Sequence, residues 1–230
     1  MHARSFAGSG GLMDVPVPSY IKADDSLFST WGACMMALIK HGKFVTLQRG
    51  ESLPLSDCEI GLLIDGGLYA MCLAGHDDSR KMMAHFFCRG ELFIASAGEN
   101  LDMDLIAHCR SSCLVLPATE FSEFAEEFSG APRLVGTIET WLTKQFLEAL
   151  QKSNAKDIDK IQSILAILAS HPTATDTKLG REIEASKQLI RELAGVQKRS
   201  SSRAFRTLEE SGLVSFYGYK RLFFTGQTNA

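Results

Sequence analysis

Apolar and polar positions change rhythm along this chain, and the changes divide it into segments. Leu27, Phe28, Trp31, Met35 and Leu38 recur at helical spacing and predict a helix over residues 26–41. From Phe44 to about Leu116 short apolar runs (FVTLQ, IGLLI, LYAMCLA, MMAHFF, LIAHC) alternate with turn signals such as Gly66-Gly67 and His76-Asp77-Asp78. Regularly spaced short strands suggest an antiparallel barrel or jelly roll. Thr119 is placed to cap a short helix running to Phe128. A long helical stripe follows, made by Leu134, Ile138, Trp141, Leu142, Gln145 and Ala149. It stops near Ser153-Asn154. Ile158, Ile161, Leu165 and Leu168 give one more helix, before a loop at His171-Pro172-Thr173. No internal repeat is visible.

The segment from Ser186 to Gly226 predicts two short helices across a tight turn, then a hairpin. Ser186 is a good N-cap, and Leu189, Ile190 and Leu193 form an apolar face. Gly195 stands where the chain must turn, and Val196 can plug the angle between the helices. Ala204, Phe205 and Leu208 make the buried face of the second helix. Arg199, Ser202, Arg203 and Arg206 lie three or four residues apart and share the opposite face. Gly212 ends that helix. Leu213, Val214 and Phe216, then Leu222, Phe223 and Phe224, flank the turn residues Tyr217-Gly218-Tyr219 as a wing would.

This register resembles the DNA-binding domain of the Crp/Fnr (catabolite-activator-type) transcription regulators. Ser186 stands at the family's Thr, Gly195 at its turn and Lys198 at the first Arg of its recognition helix. Ser202-Arg203 keeps the following pair, and Leu208 and Gly212-Leu213-Val214 follow without insertion. Two positions depart: Arg199 replaces the usual Glu and should alter which bases are read, and Ser201 falls where the family buries Val. The resemblance covers most of the chain in element order and is specific in residues only in the C-terminal third. Gly50-Glu51 and Gly90-Glu91 match turns between the family's barrel strands more weakly.

The resemblance implies an α+β fold. A flexible tail at 1–20 precedes a cyclic-nucleotide-binding-like β-barrel (jelly roll) at 21–132. A dimerisation helix spans 133–154, and a winged helix-turn-helix spans 155–230. It implies a bacterial homodimer on a palindromic double-stranded DNA operator, with RNA polymerase as a further candidate partner. Gln197, Lys198, Arg199, Ser202 and Arg203 would then contact base edges, as Arg and Lys favour the edge of guanine. Ser186, Lys187, Ser200, Arg206, Tyr219 and Lys220 would hold the backbone. Leu134, Ile138, Trp141, Leu142, Gln145 and Ala149 would form the dimer interface, so Ile138→Asp or Leu142→Asp would give monomers.

Charge changes the picture in one respect. The chain of 230 residues is 45% hydrophobic and 22% charged, with a net charge of −3. Yet residues 186–221 hold eight Lys/Arg against three Asp/Glu, a local +5 that leaves −8 for the rest. Basic charge is therefore gathered on the segment that would meet phosphate. The start, MHARSFAGSGG, has no apolar stretch of the signal-peptide kind, and the longest apolar run is broken by Asp65-Gly66-Gly67. A cytoplasmic protein with no membrane contact is the expectation.

The family's cyclic-nucleotide cassette needs an Arg that grips phosphate bidentately. The stretch IASAGENLDMDLIA after Phe93 has none, and Asp102 and Asp104 there should repel a phosphate. Control by cAMP is not expected. Cys34, Cys58, Cys72, Cys88, Cys109 and Cys113 form no Cys-x-x-Cys pair and are expected to be free thiols. Cys109 and Cys113 would share one face of one strand. His41, His76, His85 and His108 are isolated, and no iron–sulfur cysteine cluster is present. No cofactor or metal is expected. The His-x-His of a cupin, a nucleophile elbow and a P-loop are all missing from the sequence, which argues against an enzyme. The alternatives still open are a regulator answering a non-nucleotide ligand or a redox signal, a cupin-like enzyme, and a protein-interaction module.

Overall fold

A computed structural model describes residues 25–54, 58–73, 81–94, 103–170 and 174–226. The N-terminal tail, the turn at His76-Asp77-Asp78, the cassette residues Ala97–Asp102 and the loop His171-Pro172-Thr173 lie outside these residues. Helix α1 (Asp25–His41) leads into strands β1 (Lys43–Leu47), β2 (Cys58–Asp65), β3 (Leu68–Leu73), β4 (Lys81–Phe87), β5 (Leu92–Ile94), β6 (Met103–Ala107) and β7 (Ser111–Pro117). Helices α2 (Ala118–Glu127), α3 (Ala131–Ser153) and α4 (Asp157–Ser170) follow. The chain closes with β8 (Thr175–Thr177), β9 (Gly180–Ile183), α5 (Lys187–Leu193), α6 (Lys198–Glu210), β10 (Val214–Tyr217) and β11 (Arg221–Phe224).

The first seven strands form two antiparallel sheets, ordered β1-β7-β2-β5 and β4-β3-β6. This is the expected roll, built as a sandwich; no closed ring of strands forms among the described residues. Alternate residues of a strand face opposite ways, so Leu68 and Ala70 point into the sandwich while Tyr69 and Met71 point out of it. The interior cluster gathers Ile60, Leu63, Phe87, Phe93, Ile94 and Leu105 with Trp31 and Leu38 of α1.

Helix α3 completes that same interior. Leu134, Ile138 and Leu142 are 1%, 0% and 3% exposed and belong to the roll cluster. Ala149 is buried beside Cys72 and Ala84. The Trp141 ring sits edge-on to His85, with ring centres 4.5 Å apart, and Gln145 is half-buried. For Leu134, Ile138, Leu142 and Ala149 the expectation that this stripe faces a second subunit is therefore corrected. An amphipathic pattern demands a partner for the apolar face, and here the roll supplies it. The exposed side of α3 carries Thr140, Thr143, Lys144 and Leu147 instead.

Two smaller expectations also change. Helix α2 starts at Ala118, and Pro117 is its N-cap, with φ −61° already set by the ring. Thr119 lies inside the first turn and donates its hydroxyl to Glu120. Cys109 and Cys113 do not share a strand: β7 begins at Ser111, so Cys113 is a buried strand residue and Cys109 an exposed turn residue.

The second cluster joins the two halves of the molecule. Ile161, Ile164 and Leu165 of α4, Ile190 and Leu193 of α5, and Phe205 and Leu208 of α6 pack together with Val214, Leu222 and Phe224. Tyr69, Met71, Met83 and Phe86 from the outer face of the three-stranded sheet belong to the same cluster. At this seam the Tyr69 hydroxyl meets Nδ1 of His108. Burial, with the Arg49 charge added, holds His108 below its ordinary pKa, while Glu184 pulls the other way.

Gly195 lies at the same seam. Its φ of 62° is in the left-handed region, and a Cβ there would stand 3.1 Å from the Lys81 carbonyl oxygen. Gly195→Ala should cost about 1–2 kcal/mol from the backbone conformation alone. Urea denaturation measures it, and an unchanged midpoint would show that the turn relaxes without cost.

Candidate nucleic-acid interface

Helices α5 and α6 are set by local chemistry. The Ser186 side chain accepts the Leu189 N–H at 3.1 Å, the expected N-cap. Helix α5 ends at Leu193, and Gly195 and Val196 make the turn, with the Val196 N–H donating to the Arg191 carbonyl. Gln197 caps α6 with extended backbone, φ −68° and ψ 148°. The burial of α6 is one-sided. Ser201, Ala204, Phe205 and Leu208 are buried, whereas Gln197, Lys198, Arg199, Ser202, Arg203 and Arg206 are exposed.

Ser201 needs no apolar neighbour to be buried. Its hydroxyl donates to the Lys198 carbonyl at 2.9 Å, which satisfies it inside the helix. Ser200 and Ser202 make similar bonds, to the Gln197 and Lys198 carbonyls at 3.2 Å. The serine triplet thus keeps side-chain bulk off the first turn and leaves the long cations prominent.

The basic residues differ in how free they are. Arg206 donates to Glu210 at 2.8 Å. Lys187 is turned toward Glu209 at 3.2 Å and lies 3.9 Å from the centre of the Phe216 ring, so it braces the wing against α6. No acidic partner of Lys198, Arg199 or Arg203 occurs among the described residues. The one face of α6 therefore carries three cations with no local countercharge.

The wing is the hairpin β10–β11, with Tyr217 opposite Arg221. Gly218, at φ 69°, makes its tight tip. Tyr219 is 95% exposed and Tyr217 73%; Lys220 is exposed beside them. Tyr217, a turn residue by its sequence pattern, is the last residue of β10 and is exposed like Tyr219. A second hairpin, β8–β9, extends this sheet to four strands in the order β10-β11-β9-β8. Sequence patterning gave no sign of it, because Thr-Asp-Thr-Lys-Leu-Gly lacks an apolar alternation.

The architecture matches solved structures over most of their length. The c-di-GMP-responsive global regulator CLP of Xanthomonas campestris superposes with a TM-score of 0.66 at 18% identity, over 85% of this chain and 99% of that one. A Eubacterium rectale protein ascribed to the Crp/Fnr family gives 0.63 at 12% identity, over 88% and 95%. The chain has the Crp/Fnr regulator fold. FixK2 of Bradyrhizobium japonicum carries the same fold, with a TM-score of 0.62 at 13% identity over 80% and 93%. No protein-family model and no curated protein matches the sequence. Within the Crp/Fnr fold, α5 and α6 are the helix-turn-helix and β10–β11 the wing.

Among the described residues no cluster of three His, Cys, Asp or Glu side chains could hold a metal, and no helix is long and apolar enough to cross a membrane. Burial pushes the thiols of Cys34 and Cys113 up to about 12 and that of Cys72 to about 11. These thiols stay protonated and unreactive near neutral pH. Asp104 must be re-read. It pairs with Met71 across the sheet and so stands on the outer face, not inside the roll. Its charge is no barrier to a ligand in the interior.

Proposed function

We propose that this protein is a sequence-specific, DNA-binding transcription regulator that acts as a homodimer. The observation that carries this is the exposed face of α6, with Lys198, Arg199 and Arg203 unpaired on a helix held by a well-formed winged helix-turn-helix. In such motifs the second helix enters the major groove. Lys198, Arg199 and Arg203 then read base edges, with Gln197 and Ser202 beside them. Ser186, Ser200, Arg206, Tyr219 and Lys220 contact the phosphate backbone and fix register. Lys187 joins them only by leaving Glu209. Two subunits place two such helices about 34 Å apart on a two-fold operator.

The face of α3 that remains for the second subunit is the row Thr140, Thr143 and Leu147, with Leu147 51% exposed. Selection from random duplex by the purified protein tests the whole reading. An inverted repeat with half-sites one helical turn apart supports it; recovery of unrelated sequences, released at moderate salt, counts against it.

Cyclic AMP is not the effector on this reading. The supporting point is that no arginine stands in residues 94–107, where the cassette would need one. Titration calorimetry with cAMP should give no binding heat at micromolar protein. Micromolar binding that also tightens operator affinity would reverse this conclusion.

A further inference from the structure

The outer face of the three-stranded sheet is apolar where the winged helix covers it and charged at its border with the helix-turn-helix. Register sets this out. Leu73 opposes Lys81, and Met71 opposes Met83 on one side and Asp104 on the other. Alternation along the strands therefore puts Lys81, Met83, Met71 and Asp104 on one face. Met71 and Met83 are buried in the shared cluster. Lys81 and Asp104 remain 45% and 37% exposed, and the Lys81 ammonium is paired with the Asp104 carboxylate.

The backbone of Lys81 also lies against the turn of the helix-turn-helix. Its carbonyl oxygen lies 3.1 Å from where a Gly195 Cβ would be. Helix α6 starts three residues further on, at Lys198, which is within about 11 Å of chain at ~3.8 Å per residue. The N-terminal end of a recognition helix is the part that meets the bases, and the walls of the groove it enters are phosphates. The Lys81 backbone stands near that end, and its flexible four-carbon stem lets the ammonium, once released from Asp104, swing toward a phosphate there.

We infer that Lys81 is a DNA-phosphate contact contributed by the roll, restrained by Asp104 until a duplex docks. The inference rests on the DNA-binding reading of α6. A half-exposed ion pair is weak, so a phosphate can take the lysine from it at little cost. Once the lysine has moved, Asp104 faces the duplex without its partner. It then works against non-specific binding, in which α6 gains no base contacts to offset the repulsion.

The salt dependence of duplex binding tests this, measured by fluorescence anisotropy on the full chain with selected operator and with scrambled duplex. Each phosphate contact contributes about 0.9 to the slope of log K against log salt. Lys81→Gln should lower that slope by about 0.9 per subunit and weaken both duplexes alike. Asp104→Asn should tighten both, scrambled duplex more, without changing the preferred sequence. The double variant should bind more tightly than Lys81→Gln alone. A pair that only braces the sheet would shift the melting temperature in both single variants and leave both slopes unchanged, which overturns the inference. Defined operator binding by the wild type with unchanged slopes defeats this inference alone. A wild type that binds no duplex defeats the DNA-binding reading as well.

Discussion

Ile138→Asp is expected to abolish folding of the chain, not to give a folded monomer. Ile138 is completely buried in the roll interior, on the face of α3 packed against the sheets and α1. Removing the branched side chain forfeits about 2–5 kcal/mol, and a carboxylate left there without a partner adds several more. A domain of this size has about 5–15 kcal/mol of stability in all. Circular dichroism should show no cooperative melt, or one displaced far downward. Leu147→Asp is the comparison: it lies on the exposed row, so it should keep its melt and lose the dimer in light scattering. A well-folded Ile138→Asp monomer would mean that α3 turns its apolar stripe outward in solution.

Arg203→Ala is expected to remove specific operator binding and leave the fold untouched. The side chain is exposed on α6, so its loss opens no cavity and strands no carboxylate. A lost bidentate contact to guanine costs about 1–3 kcal/mol of discrimination per half-site, and a two-fold operator carries two. Affinity for the selected operator should fall by one to several orders of magnitude, while binding to scrambled duplex changes little. Arg206→Ala should do less, because that guanidinium is already shared with Glu210. Equal affinity of wild type and Arg203→Ala for the selected operator would remove Arg203 from the reading set.

The reading head was legible in the sequence because its signals are local. An N-cap, an apolar face, a turn glycine and a basic face all fall within residues 186–212, and each requires only its near neighbours. Most strands of the roll were equally legible as apolar runs. What could not be read was the partner of each face. The stripe from Leu134 to Ala149 announces that one side of α3 is buried; it does not say whether a sheet or a second subunit buries it. Asp104 makes the same point at the scale of one residue. A single step of register decides whether its carboxylate lines the roll or faces the winged helix. The seam formed by Tyr69, Met71, Met83 and Phe86 with α4 and α5 is long-range, and no pattern inside either segment encodes it.

Gly195 answers to two surfaces at once, and this limits how the protein can change through descent. Lys198, Arg199, Ser202 and Arg203 lie on the open face of α6, so on the DNA-binding reading they are free to drift as an operator drifts. The turn that aims them is pressed against the first residue of β4, and a side chain acquired there would have to be accommodated by the roll before it could be tested on DNA. On the DNA-binding reading, new specificities are thus open to this lineage by substitution along α6, whereas a new angle of approach to the groove requires coordinated change in both halves of the molecule.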